Sequence, residues 1–249
     1  HPATKRNLAT LKGDGVQFVG PGEGAMACGE FGEGRMAEPE AIFEAAMKLL
    51  AGAGPLAGKH VLITAGPTAE PLDPVRMLTN RSSGKQGYAI AEALANLGAR
   101  VTLVSGPTAL PAPRGVTRID IETAEEMLAA STAALPADAA VFVAAVADWR
   151  PDEVFGVKLK KGAGGPPTIN LVENPDILAT IARPGPKRPK LVIGFAAETH
   201  ELEAQAKAKL ARKGCDLIVA NDVTEPGVMG GDQNRVLLVT KAGTEAWER

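Results

Sequence analysis

Residues 65–87, AGPTAEPLDPVRMLTNRSSGKQG, join an apolar run to an amphipathic run and carry the first candidate for chemistry. The glycines in SSGKQG (82–87) let backbone N–H groups approach an anion, and the start of the following helix adds a favourable dipole. This pattern predicts a phosphate cradle, and a glycine-rich loop without a ligand is the structural alternative. A strand and a helix are usually joined by about two to six residues, so the length of this loop indicates a further role.

The same segment is a weak match to the dinucleotide-binding fingerprint, with Ser82 in the place of the first glycine. Two features oppose that interpretation. The loop is too long for a tight turn, and the next predicted strand ends in Ser105 rather than in the Asp or Glu that holds a ribose. An NAD(P)-dependent oxidoreductase is therefore the first alternative function, and a non-enzymatic nucleotide-binding module is the second.

Three residues at the ends of predicted elements have two interpretations each when only their spacing is considered. Asn80 either closes a turn through its own backbone or offers its amide to a ligand. Asp148 follows the most apolar strand, where it either caps a turn or holds a hydroxyl, an amide or a metal ion. Phe195 either packs in the core, which its residue type favours, or covers a base.

Lysines and one cysteine complete the candidates. The segment VKLKK (157–161) precedes GAGGPP, which predicts a solvated, mobile loop or a flap whose lysine closes over phosphates. Lys209 and Lys213 share a helix face, which is either solvated or directed at a triphosphate. Cys28 lies in a glycine-rich segment that alone indicates a mobile loop. No cluster of His, Cys, Asp and Glu has the spacing of a transition-metal site.

Composition limits the class of protein. The 249 residues are 45% hydrophobic and 22% charged with a net charge of −2, which is typical of a soluble globular protein. The absence of a basic run argues against a nucleic-acid partner. No apolar stretch reaches the roughly 18 residues of a membrane span, and no secretory signal is visible. Two distant cysteines fit a reducing compartment, so we expect a cytoplasmic protein.

Apolar periodicity and caps predict alternating strands and helices. Strands are predicted at 60–65, 100–106, 139–147, 190–197, 215–222 and 235–241, and helices at 39–52, 86–99, 123–135, 174–182 and 200–214. Thr123 and Glu126 form a predicted capping box, and Asn174 is predicted to cap the helix that Pro175 begins.

This alternation predicts an α/β fold: a Rossmann-like, doubly wound, mostly parallel sheet with helices on both faces, plus an N-terminal extension. Ligands of such sheets bind beyond the carboxyl ends of the strands. We therefore expect the loops after residues 65, 105, 147, 197 and 220 to converge on one site. Residues 1–36 are glycine-rich and lack strong periodicity, and AGAGPLAGK (51–59) has the composition of a linker.

Several segments together resemble one family, the phosphopantothenoylcysteine synthetase half of a bacterial bifunctional coenzyme A biosynthesis protein. In chain order they are ITAGPTAEPLDPVRMLTNRSSGKQGYAIAEAL, AAVADWRP, KLKK, NPDI, GFAAET and DLIVANDV. The start of the chain resembles the last segment of the companion flavin-dependent decarboxylase half. The resemblance implies a decarboxylase fragment at 1–38, a helix and linker at 39–58 and a phosphopantothenate–cysteine ligase domain at 59–249.

The resemblance implies a ligase. Its members activate 4′-phosphopantothenate with CTP to an acyl-cytidylate, release pyrophosphate, and pass the acyl group to the amine of L-cysteine. The triphosphate implies Mg²⁺, with ligands that the sequence does not indicate. FMN is implied only for the absent decarboxylase part, so we expect no decarboxylase activity from this chain alone. The residues do not by themselves select CTP over ATP.

The resemblance also implies roles for single residues and an assembly. Asn80 matches the asparagine that holds the acyl intermediate, Lys158 the flap lysine that supports cytidylate formation, and Cys28 the proton donor of the decarboxylase. Residues that match the acid-binding positions are Asn80, Ala144, Ala145 and Asp148. Residues that match the nucleotide-binding positions are Gly66, Ser82, Gly84, Gly87, Phe142, Val143, Ala144, Asp148, Lys158, Pro175, Asp176, Ile177, Leu178, Phe195, Lys209, Lys213 and Asn221. The family implies a homodimer with a shared active site.

Overall fold

The structure is a computed structural model that describes residues 1–25, 31–52, 54–160, 167–198, 200–222 and 235–247. The chain divides into two compact units, residues 1–53 and 54–249. Each unit is described separately below.

The first unit contains two helices and a hairpin. Its elements are α1 (Pro2–Gly13), β1 (Gly22–Ala25), β2 (Phe31–Arg35) and α2 (Pro39–Gly52), with β1 and β2 antiparallel. The prediction of α2 is confirmed, whereas α1 and the hairpin were not predicted. None of the α1 side chains is buried, so this helix lacks the apolar stripe on which periodicity depends.

The second unit is built on a sheet of eight strands. In chain order the strands are β3 (His60–Ala65), β6 (Arg100–Ser105), β7 (Val116–Asp120), β8 (Ala139–Phe142), β11 (Leu191–Glu198), β12 (Leu217–Asp222), β13 (Val236–Thr240) and β14 (Gly243–Trp247). Their order across the sheet is β14-β13-β12-β11-β8-β3-β6-β7. The six strands from β12 to β7 are parallel, and β13 and β14 are antiparallel additions at one edge.

Helices cover both faces of this sheet. They are α3 (Lys85–Asn96), α4 (Ala124–Ala133), α5 (Ile177–Ala182) and α6 (Leu202–Lys213). Along β3, Val61 and Ile63 join the core that contains α3, while Leu62 joins the core that contains α4, α5 and α6. Successive side chains of a strand point to opposite faces, so an entirely apolar strand is buried on both. The predicted doubly wound α/β fold is confirmed.

Two small antiparallel hairpins lie in the loops of the second unit. One pairs β4 (Ala69–Pro71) with β5 (Met77–Thr79), and the other pairs β9 (Trp149–Pro151) with β10 (Leu171–Glu173). We call them the 69–79 arm and the 149–173 arm. Much of the long loop of residues 65–87 therefore forms the first arm.

Several predicted element boundaries differ from the structure, among them the end of the helix predicted at 86–99, and two of the wrong boundaries lie near the carboxyl edge of the sheet. The strand predicted at 139–147 ends at Phe142, because Ala145 N–H donates to Gly66 O (3.0 Å) instead of continuing a ladder with β11. Helix α5 begins at Ile177 with Asp176 as its N-cap, whose side chain accepts from Ala179 N–H at 2.9 Å. The capping box of Thr123 is confirmed.

Candidate active site

A pocket of about 430 Å³ opens at the carboxyl ends of β8 and β11. Strands β6 and β7 lie on one side of β3, and the next strand in the chain, β8, lies on the other side. The pocket lies beside this change of direction. This switch point is where open α/β sheets bind their ligands. The pocket is lined by Thr64, Met127, Phe142, Ala144, Val146, Ala147, Asp148, Trp149, Glu173, Asn174, Pro175, Asp176, Ile177, Leu178, Phe195, Lys209 and Lys213.

The lining combines most of the residues that the motifs predicted as nucleotide-binding. Those brought together are Phe142, Ala144, Asp148, Pro175, Asp176, Ile177, Leu178, Phe195, Lys209 and Lys213. They come from β8, the segment that follows it, the start of α5, β11 and α6, which are separated by many residues in the chain. Parallel strands present their carboxyl ends at one edge, so the fold rather than the spacing makes these residues neighbours.

Two lysines and a carboxylate from α6 and the start of α5 meet in the lining of the pocket. Both Lys209 and Lys213 line it, one turn apart on α6, and Lys213 forms an ion pair with Asp176. Burial alone would raise the pKa of Asp176, but the hydrogen bonds from Lys213 and from Ala179 N–H, with the charges of Lys213 and Arg212, lower it overall. Asp176 is therefore ionised at neutral pH and holds the ammonium of Lys213 at the pocket, where a polyanionic ligand would meet two lysines.

The sides of the pocket are apolar and aromatic. Phe142 is buried and Phe195 is partly buried, with Phe195 packed against the core on the α3 side of the sheet while it also lines the pocket. The core-packing interpretation of Phe195 is confirmed. Because the ring also lines the pocket, its contact with a base stays a prediction.

Asp148 lies at the pocket with its side chain exposed. Within the described residues, no hydrogen bond to its carboxylate is found, so the turn-cap interpretation lacks support. Its position is set through the backbone: Asp148 O accepts from Asn174 N–H at 2.9 Å, and the Asn174 side chain donates to Ala147 O at 2.9 Å.

Asn174 and Trp149 were missed as lining residues by sequence reasoning. The predicted helix-cap role of Asn174 was wrong, because its amide holds the segment after β8 instead of the start of α5. The signal was present, since Asn174 directly precedes the selected residues 175–178 and Trp149 directly follows Asp148. Of the other missed residues, Thr64 was discernible as a strand-end residue, whereas Met127 of α4 carried no chemical signal.

Asn80 lies outside the pocket lining but is tied to a segment that forms it. Its Nδ2 donates to Ala145 O at 3.2 Å, and Thr68 N–H donates to the same oxygen at 3.2 Å. Asn80 thus contacts a distant segment rather than closing a turn through its own backbone. Ala145, which the motifs predicted to contact the acid, lies between two lining residues, Ala144 and Val146.

The predicted phosphate cradle lies at the start of α3 and is not part of this lining. Gly84 is the N-cap of α3 with φ 76°, and Gly66 has φ 74° at the end of β3. A Cβ on either glycine would lie 2.9 Å from Thr108 Cγ2. Gly84 N–H reaches Ser82 Oγ at 3.4 Å, and the N-cap has no side-chain hydrogen bond to the helix. Lys85 N–H likewise donates to Ser83 Oγ at 3.4 Å, so serine hydroxyls contact both N–H groups at this helix start. The binding of a phosphate here stays a prediction.

Gly87 sets how closely α3 approaches the sheet. A Cβ on Gly87 would lie 2.5 Å from Ala65 Cβ, and neither atom can turn away as a long side chain could. We expect Gly87→Ala to lower the free energy of unfolding by about 1–3 kcal/mol through overpacking, measured by urea denaturation. Gly185→Ala is the matched control, because a Cβ there meets nothing within 4 Å. Equal effects of the two substitutions would contradict this account.

The remaining predicted residues lie elsewhere. Lys158 is exposed outside the pocket lining, Val143 donates its N–H to Thr64 O at 3.1 Å, and Asn221 pairs with Ala197 between β12 and β11. Cys28 lies outside the described residues. Among the described residues, no cluster of three or more His, Cys, Asp or Glu side chains could hold a metal ion. Across the same ranges, no helix is long and apolar enough to span a membrane.

The fold and the pocket place this chain among the Rossmann-like α/β proteins that bind ligands at the carboxyl edge of the sheet. Residues 56–249 match the DNA/pantothenate metabolism flavoprotein C-terminal domain, and the chain belongs to that family.

Three comparisons describe the relationship further. The chain is 48% identical over 248 residues to the coenzyme A biosynthesis bifunctional protein CoaBC of Bacillus subtilis, and the match covers 98% of the chain and 60% of that relative. The crystal structure of the C-terminal domain of a CoaBC protein matches with a TM-score of 0.65 and 44% identity, covering 78% of this chain and 87% of that one. A Cab2 mutant in complex with phosphopantothenate-cysteine matches at 17% identity, TM-score 0.63, over 86% and 88% of the two chains. This last likeness concerns the fold alone.

Proposed function

We propose that the second unit is a phosphopantothenate–cysteine ligase that uses CTP in coenzyme A biosynthesis. The observation that carries the proposal is the single pocket that unites Asp148, the 175–178 segment, Phe195, Lys209 and Lys213 from separate motifs. Membership of the pantothenate-metabolism family and the likeness to CoaBC proteins support it.

In this proposal the nucleotide occupies the pocket with its base near Phe195 and its phosphates toward Lys209 and Lys213. The carboxylate of 4′-phosphopantothenate attacks the α-phosphorus of CTP, which forms the acyl-cytidylate and releases pyrophosphate. The amine of cysteine then attacks the acyl carbon, which forms the amide and releases CMP. Lys158 stabilises the charge that develops on the phosphates in the first step. The amide of Asn80 orients the acyl group for the second.

Mg²⁺ would bind mainly through the triphosphate oxygens. Magnesium commonly uses one or two carboxylates together with substrate phosphates rather than a dedicated protein cage. Asp148 and Glu173 are the lining carboxylates that fit this chemistry, since within the described residues no hydrogen bond occupies either one, whereas Asp176 pairs with Lys213. The ion would neutralise part of the triphosphate charge.

We also infer a homodimer whose two subunits share each active site. The 69–79 arm exposes Val75 and Met77, and the 149–173 arm and the segment between its strands expose Val154, Val157 and Leu171. A monomer gains nothing from exposing apolar side chains on both arms, and a second copy would cover them. Asn80, directly after the first arm, and Lys158, between the strands of the second, lie outside the pocket lining of their own subunit. A site completed by a second subunit would bring them to a pocket.

The oxidoreductase alternative lacks a ribose ligand. Ser105 is fully buried at the end of β6, and its hydroxyl already donates to Gly106 O and contacts Tyr88 OH at 2.8 Å. The Ser105 hydroxyl is buried and already hydrogen-bonded, so it cannot replace the exposed carboxylate that holds an NAD ribose.

The proposal is tested by pyrophosphate release in the absence of cysteine. We expect release only when CTP and 4′-phosphopantothenate are present together with Mg²⁺, and amide detected by mass spectrometry once cysteine is added. The same assay with ATP, GTP and UTP measures nucleotide choice. Nucleotide binding without pyrophosphate release would instead support the binding module, and stabilisation by NAD(P)H would support the oxidoreductase.

A further inference from the structure

The turn of the 69–79 arm holds a buried carboxylate. The Asp73 side chain is fully buried, and its oxygens accept five hydrogen bonds. Oδ1 accepts from Val75 N–H and Arg76 N–H, both at 2.9 Å, and Oδ2 accepts from Arg76 Nε at 2.9 Å and from Arg76 Nη2 at 2.5 Å. The Arg76 guanidinium is the main reason that the pKa of Asp73 lies well below its usual range, so this carboxylate is charged at neutral pH.

The remaining hydrogen bond to Asp73 reaches a segment 86 residues away along the chain. Leu159 N–H donates to Asp73 Oδ2 at 3.1 Å, and Arg76 Nη2 donates to Leu159 O at 2.9 Å. A third link joins the same segments, since Phe155 N–H donates to Leu72 O at 3.0 Å. The charged pair therefore holds both polar groups of Leu159.

This contact fixes the backbone from which the Lys158 side chain extends. The carbonyl of Lys158 and the N–H of Leu159 belong to one planar peptide group, so fixing the N–H fixes the orientation of the Lys158 backbone. The Lys158 side chain stays exposed. A long lysine side chain on a loose segment would lose conformational entropy on reaching a phosphate, and an anchored backbone reduces that loss.

We propose that Asp73 is a positioning residue that aims the flap lysine, Lys158, and thereby links the flap to the 69–79 arm, which Asn80 follows directly. The inference rests on the proposed ligase function. Asp73 makes no contact with substrate; it acts through the Leu159 peptide. The arm from Asp73 runs into β5 and then directly to Asn80, whose neighbour Thr79 donates to Thr68 O at 2.8 Å. The Asp73 carboxylate therefore connects Lys158, through the Leu159 peptide, to the chain segment that leads to Asn80.

The test is Asp73→Asn in the pyrophosphate-release assay. The carboxamide keeps the shape but loses the charge that holds Arg76 and Leu159, so we expect kcat to fall about 10- to 100-fold. The KM for CTP should change less than about 3-fold, because the pocket lining excludes this turn. When Lys158 is already alanine, adding Asp73→Asn should lower kcat by less than about a further 2-fold, since Asp73 acts through the Lys158 side chain that is no longer present.

Asp138→Asn is the matched control. Asp138 also accepts a backbone N–H, from His60 at 2.9 Å, and also pairs with a lysine, Lys59 at 3.6 Å. It lies at the amino ends of the strands, opposite the pocket, so its substitution should leave kcat within about 2-fold of wild type. A general loss of stability would affect both variants, and a loss of positioning affects only Asp73→Asn.

Amide hydrogen exchange gives a second readout that needs no turnover. We expect the Leu159 amide to be protected in the wild-type chain, with protection reduced about 10-fold or more in Asp73→Asn. If the variant does not fold, protection of Leu159 in the wild type still supports the anchor, and its absence there overturns it. Normal kcat in Asp73→Asn, or a full additive loss in the Lys158→Ala background, also overturns it. Absence of pyrophosphate release from the wild type refutes the proposed function and this role with it.

Discussion

Alanine in place of Lys158 should reduce pyrophosphate release from CTP and 4′-phosphopantothenate by at least about 100-fold, because a preorganised cation is lost from the developing phosphate charge. The side chain is exposed on an anchored backbone, and none of the described carboxylates forms an ion pair with it. Its charge is therefore available to a ligand. The measurement is steady-state pyrophosphate release without cysteine, with CTP binding followed separately by calorimetry.

Lys160→Ala provides the control for this prediction. Lys160 is also exposed and carries the same charge two residues further along the flap, but it lies beyond the Leu159 peptide that Asp73 and Arg76 hold. We expect its substitution to change the rate less than about 3-fold, as for a solvated surface charge. A larger effect at 160 than at 158 would move the catalytic assignment to Lys160.

Asn80→Ala should separate the two half-reactions. We expect pyrophosphate release to continue to about one equivalent per active site, while amide formation falls at least about 100-fold, because one oriented hydrogen-bond donor is lost at the activated carbonyl. Asn80 already spans from its loop to Ala145 O, so its amide lies at the segment predicted to contact the acid. Rapid-quench analysis should show the acyl-cytidylate accumulating on the enzyme.

Asn170→Ala is the matched substitution, since Asn170 is an exposed asparagine just before β10. It should make amide at the wild-type rate within about 2-fold, as expected for a surface change. If Asn80→Ala makes amide at the wild-type rate, Asn80 has no role in the conversion. If it instead loses pyrophosphate release, the side chain acts in the first step.

Local chemistry accounts for the parts of the fold that were predicted correctly. The buried strand β3 was readable because a strand buried on both faces is a short, continuous apolar run bounded by turn residues. Thr123 and Glu126 correctly predicted the start of α4, because a capping box depends only on residues within one helical turn. The end of β8 was missed because its apolar composition continues unchanged into residues that bond to the loop after β3. Apolar composition indicates that a segment is buried, but it does not indicate which backbone groups form its hydrogen bonds.

By itself, the sequence determined the α/β class, the family and the residue types of the site, because apolar periodicity, glycine positions and ordered motifs are properties of the chain. Only the tertiary structure decided which of those residues share a pocket. It placed Phe195, Asp176 and Lys213 together, left Asn80 and Lys158 outside the pocket lining, and joined Asp73 to the peptide group of Leu159. The physical reason is that the Asp73–Leu159 contact joins residues far apart in the chain, and such pairs leave no periodic or local signal in a single sequence.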